Sequence, residues 1–71
     1  MNYELDNERI YTNILRKLNR NHKMLKHLQE ENIMSRNALF RLRNGSDMKI
    51  STILKVINWL GGDIDQYFKK V

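Results

Sequence analysis

Seventy-one residues allow one domain with one small core, and a chain this short buries only about 60% of the surface it exposes when unfolded. Thirteen Lys and Arg against eight Asp and Glu give a formal net charge of +5, and the absence of cysteine excludes a disulfide framework or a thiolate metal centre. With 41% hydrophobic residues, no proline and three glycines, the composition suits a compact helical protein and is too apolar for a disordered tail.

In chain order, residues 1–7 read as an N-terminal tail. Residues 1–8 hold three acids (Glu4, Asp6, Glu8) and no base. The stretch lacks the basic-then-apolar pattern of a secretion signal, so an intracellular location is expected. A first helix is predicted from about Glu8 to Arg20. Ile10, Ile14 and Leu18 recur every four residues and form its apolar stripe, with Tyr11 and Leu15 beside it. Asp6 or Asn7 can cap it, and Arg16, Lys17 and Arg20 fall off the stripe toward solvent. A second helix follows from about His22 to Glu31, with Asn21 as its cap and Met24, Leu25 and Leu28 as its apolar face. Asn32 can take the left-handed turn conformation, which Asn tolerates better than most residues. Ile33 and Met34 then bury.

The third helix carries the clearest signals. Ser35 can cap its N-terminus, and Gly45 can end it in the left-handed conformation. Leu39 and Leu42, three apart, make one apolar stripe. Arg36, Asn37, Phe40, Arg41 and Asn44 share the opposite face. The planar hydrogen-bonding groups of its Arg and Asn side chains are of the kind that read base edges in a DNA major groove. The surrounding charge agrees, because residues 9–49 hold ten Lys and Arg against three acids. Charge alone serves solubility equally well, and Arg41 and Arg43 could form no more than a solvated face.

Gly45-Ser46-Asp47 reads as a loop. A fourth helix is predicted from about Ser51 to Leu60, with Ile50, Ile53, Leu54, Ile57 and Leu60 at helical spacing and Lys55 and Asn58 facing out. Gly61-Gly62 stops it. A fifth helix runs from Ile64 to about Lys70, capped by Asp63, with Ile64, Tyr67 and Phe68 on its inner side. Trp59 is expected to pack against it. Nothing reads as a strand of useful length, so the expected fold class is all-α with five helices.

Residues 9 to 68 resemble the lambda-repressor-like helix-turn-helix domain of phage repressors, Cro proteins and bacterial XRE regulators. The likeness is clearest from Met34 to Phe68. Ser35-Arg36-Asn37-Ala38-Leu39-Phe40-Arg41-Leu42-Arg43-Asn44-Gly45 resembles the recognition helix and its closing glycine. Ile53-Leu54-Lys55-Val56-Ile57-Asn58-Trp59-Leu60-Gly61 and Asp63-Ile64-Asp65-Gln66-Tyr67-Phe68 resemble the two helices after it. The second helix departs from the pattern. Gln29 stands where the family prefers a small alanine, and Ile33 where it has a turn glycine. Either the turn is one residue longer, with Asn32 in the glycine's role, or the two helices pack at a changed angle.

The resemblance implies a Cro-like DNA-binding transcriptional regulator, cytoplasmic and nucleoid-associated. Arg36, Asn37 and Arg41, with Phe40 as a contact to a thymine methyl, would read bases. Asn21, Lys23, Lys26, Ser35, Arg43, Asn44 and Lys49 would hold phosphates. Trp59, Ile64, Tyr67, Phe68 and Val71 would form a weak homodimer contact through the fifth helix or meet a heterologous regulator. Phe40 could equally anchor a protein, and the alternative is a modulator or antirepressor that uses the same scaffold to bind another regulator. His22 and His27, five apart, have no matching metal ligand. No nucleophile, base and orienting group stand in a suggestive order, so neither an enzyme, a cofactor nor a small-molecule ligand is expected. No apolar run approaches the length of a membrane span.

Overall fold

Four helices of the chain, α1 (Asn7–Arg20), α2 (Lys26–Glu30), α3 (Arg36–Arg43) and α4 (Ile50–Leu60), are bracketed by two short strands, β1 (Tyr3–Leu5) and β2 (Phe68–Lys70). A 3-10 turn, Ile64–Tyr67, leads into β2. The computed structural model describes residues 2–71. The strands pair antiparallel, with Tyr3 opposite Lys70, Glu4 opposite Lys69 and Leu5 opposite Phe68.

The fold is therefore mixed α/β, about 60% helical, and not the expected all-α domain of five helices. Two of the expected elements change. The fifth helix is only a single 3-10 turn. Gly61 and Gly62 both have positive φ, and the Phe68 N–H closes the turn onto the Asp65 carbonyl before the chain extends. The N-terminal tail is not free either. Tyr3–Leu5 pair with Phe68–Lys70, and the Asp6 N–H and Val71 N–H continue the ladder to the Tyr67 and Asn2 carbonyls at 2.7 and 2.9 Å. A helix of seven residues is too short to hold itself together. The β partner lies more than sixty residues away, so no local pattern announces it.

The first three helices end in the same way. The residue after each C-cap is left-handed: His22 at φ 55°, Asn32 at 58° and Gly45 at 71°. The next N–H then reaches back six residues inclusive, from Lys23 to Leu18, Ile33 to Leu28 and Ser46 to Arg41, each at 2.8 Å. These are Schellman caps, and they satisfy carbonyls that the helices leave open. Asn32 thus takes the left-handed position expected of it. His22 ends α1 instead of opening α2, so α2 begins at Lys26, four residues later than expected. Asn21 is likewise the C-cap of α1, and its side-chain amide donates to the Lys17 carbonyl at 2.8 Å. At the start of α2 the Met24 N–H lies 3.0 Å from His27 Nδ1.

The core gathers around α1. Ile10, Ile14 and Leu18 are buried together with Leu28, Met34, Leu39, Leu42, Val56, Ile57 and Tyr67. α1 packs against α3, α4 and the 3-10 turn. Asp6 caps α1, its carboxylate accepting from the Arg9 N–H at 3.1 Å. Three core expectations are corrected. On α4 the buried pair is Val56 and Ile57, while Ile50 is 72% and Leu54 52% exposed. The inward face of α4 is rotated toward Val56 because that side meets α1. Of the C-terminal residues only Tyr67 is buried; Ile64 and Phe68 remain exposed, because a 3-10 turn followed by a strand does not keep them on one face. Trp59 does not pack on a fifth helix. Lys17 lies over its ring, 4.4 Å from the centroid, and donates to the Trp59 carbonyl, so Lys17 is half-buried and not in free solvent.

Candidate nucleic-acid interface

α3 is held at both ends. Ser35 adopts an extended conformation, and its Oγ accepts from the Ala38 N–H at 3.1 Å, which caps α3. The Gly45 cap closes the other end. Leu39 and Leu42 are buried in the core, as is Met34 in the turn before α3. Helical geometry then leaves Arg36, Asn37, Phe40, Arg41, Arg43 and Asn44 on the outside, and all are exposed. Phe40 is 68% exposed, a large apolar ring set among polar groups.

Four predicted residues come together around one cleft of about 330 Å³. Ser35, Asn37 and Arg41 line it from α3, and Lys49 lines it from the start of α4, with Met48 and Thr52 beside them. Arg41 also reaches across the loop, its Nη1 donating to the Asp47 carbonyl over a long 3.4 Å. Lys49 is the N-cap of α4 and gives it no side-chain hydrogen bond, so its ammonium is exposed on that rim. Arg36 lies a helical turn before Phe40 on the same exposed side.

The other predicted phosphate ligands are spread more widely. Lys26 is exposed at the first position of α2. Lys23, in the connection before it, forms an ion pair with Glu31 at 3.3 Å. Arg43 turns toward α1, with its guanidinium 5.9 Å from the centre of the Tyr11 ring. Asn44 uses its amide to donate to the Phe40 carbonyl at 2.8 Å, and Asn21 is similarly occupied at the end of α1. Arg43, Asn44 and Asn21 are thus exposed but already in contact with the chain's own groups, whereas Arg36, Asn37, Phe40, Lys26 and Lys49 are free to meet a ligand.

The sequence reading passed over Thr52, which shares the cleft with Arg41 and Lys49. Its available signal was its place three residues after Lys49, at the start of a helix. The expected dimer set also divides. Trp59 is covered by Lys17 and Tyr67 is buried, while Ile64, Phe68 and Val71 stay exposed and Tyr3 joins them. Among the described residues no helix is long and apolar enough to cross a membrane. No family model, no curated protein and no solved structure matches the chain.

Proposed function

We propose that the chain is a sequence-specific DNA-binding transcriptional regulator that reads the major groove with α3. The observation that carries this reading is the outer face of α3. Arg36, Asn37, Phe40 and Arg41 are exposed there, on a helix capped at both ends by hydrogen bonds. Arg pairs bidentately with guanine O6 and N7, and Asn with adenine N6 and N7. Phe40 offers an apolar contact for a thymine methyl. Lys49 at the start of α4 and Lys26 at the start of α2 are exposed and suit phosphates, and the net charge of +5 favours a polyanion. The resemblance to the lambda-repressor-like family, clearest from Met34 through α3 and α4, supports the reading, and such a regulator acts on DNA in the cytoplasm of a bacterial or phage-infected cell.

The extreme exposure of Phe40 favours one second reading. An aromatic anchor at the centre of a face is what a protein partner takes into a pocket. On that reading the scaffold binds another regulator, as an antirepressor does.

Selection from a randomised duplex pool, followed by anisotropy titrations at several salt concentrations, separates the two. A DNA reader enriches one motif and binds it about 10³-fold or more tighter than random duplex. Its affinity also falls steeply as salt rises. Absence of binding at low salt discards the DNA reading and leaves the protein-binding one.

A further inference from the structure

The outer flank of α1 carries cations that the fold leaves unused. Arg9, Asn13, Arg16 and Arg20 follow at intervals of four, three and four residues, which sets them on one helical face. The three arginines are exposed, and among the described residues none has an ion-pair partner. Asn13, Arg16, Asn19 and Arg20 line a cleft of about 490 Å³ together with Leu60 from the end of α4. No acid stands between Arg9 and Gln29, a stretch that holds six Lys and Arg. Arg20 lies in the last turn of α1, where a cation complements the helix dipole. That does not account for Arg16, which repels Arg20 one turn away. The face also lies away from α3. Tyr11 and Lys17 stand three residues before and after the buried Ile14, on opposite sides of it. Arg43 of α3 lies over Tyr11, while Lys17 lies over Trp59 of α4. Asn13 and Arg20 are four and three residues from Lys17, so the basic face continues around α1 from the α4 side.

We propose that this face is a second, sequence-independent contact for duplex DNA, made to the phosphate backbone of a segment other than the one on α3. Arg9 to Arg20 spans about 16 Å of helix axis, the length over which one strand presents about five phosphates. Arginine forks and asparagine amides donate to phosphate oxygens. A lipid surface is a poorer occupant. The apolar stripe of α1, Ile10, Ile14 and Leu18, is buried in the core and leaves no apolar face to enter a membrane interface. With α3 on the far flank of α1, one chain bridges two duplex segments. The bridging rests on the DNA reading of α3; the contact at α1 does not.

The full chain is titrated into a fluorescent random-sequence duplex across a salt series, and its power to hold that duplex on beads carrying a second duplex is read at low salt. Arg16→Gln combined with Arg20→Gln is expected to lower capture about tenfold or more. It also reduces the slope of log K against log salt on the random duplex by about two, one for each lost phosphate contact. Arg16→Lys combined with Arg20→Lys keeps both, because a phosphate accepts a point charge as well as a fork. That rescue separates charge from any effect on folding. On a duplex selected by α3 the Gln variant binds as the unaltered chain does. Weaker binding there places Arg16 and Arg20 on the same duplex as α3 and overturns the proposal. So do random-duplex binding and capture that survive the Gln changes, or a loss confined to phosphatidylserine vesicles. Failure of the α3 reading has a different signature: no motif is selected and no bridge forms, while random-duplex binding still depends on Arg16 and Arg20.

Discussion

Arg41 and Lys26 are both exposed cations, yet they stand in different chemical positions. Arg41 projects from the middle of the outer face of α3, beside Asn37 and at the cleft that Lys49 closes. Lys26 opens α2, away from that face. A base contact discriminates between sequences, whereas a phosphate contact does not. On the DNA reading, Arg41→Ala costs about 1–3 kcal/mol on the preferred site and much less on random duplex. Lys26→Ala weakens both alike and lowers the slope of log K against log salt by about one. Anisotropy titrations on both duplexes decide the matter. Equal losses for Arg41→Ala on every sequence would reassign Arg41 to the phosphate backbone. Arg43 is expected to behave differently from both, since the Tyr11 ring already holds its guanidinium.

Among the helices, α4 shows how far a local pattern can mislead. Ile50, Ile53, Leu54, Ile57 and Leu60 make a broad apolar arc, and spacing alone does not say which part of it turns inward. Packing against α1 selects the side containing Val56, which is 1% exposed, and leaves Leu54 half outside. The smaller residue therefore matters more. Val56→Ala removes fully buried methyls and should destabilise by about 1–3 kcal/mol, while Leu54→Ala should cost under about 1 kcal/mol despite deleting more carbon. Urea denaturation of the two variants checks the order. The reverse ranking would mean that α4 is rotated about its axis. Helix ends were easier to read than helix faces. Ser35, Asn32 and Gly45 are residue types whose own chemistry marks a boundary. His22 is not, and so the start of α2 lies at Lys26 and not at His22, while α1 ends at Arg20 as expected.

At the scale of the molecule, Tyr67 is the residue that closes the fold. It is buried, its carbonyl accepts from the Asp6 N–H at 2.7 Å, and its hydroxyl donates to the Gly61 carbonyl at 3.2 Å. It thereby joins the N-terminus of α1, the end of α4 and the start of β2. Tyr67→Phe keeps the ring and loses the hydroxyl bond, an expected cost of about 0.5–1.5 kcal/mol. Tyr67→Ala empties the site and should cost about 3–5 kcal/mol, a large share of the stability of so small a domain. Thermal unfolding followed by circular dichroism measures both. A Tyr67→Ala variant with an unchanged midpoint would show that the C-terminal segment does not contribute to the core.

The local determinants were therefore within reach of the sequence. Composition bounded the core, periodicity located α1, and cap chemistry placed both ends of α3. With those ends set, Leu39 and Leu42 had to point inward and Arg36, Asn37, Phe40 and Arg41 outward, because the helical repeat leaves no other choice. The tertiary structure decided what depends on distant partners. The pairing of Tyr3–Leu5 with Phe68–Lys70 turned an expected tail and an expected helix into a sheet, since an isolated strand has no stability that its own sequence could reveal. Contact with α1 rotated α4 and put Lys17 over Trp59. Only the folded chain could set Lys49 beside Arg41, or Tyr3 beside Phe68, because each pair joins segments whose approach is governed by core packing and not by any local preference.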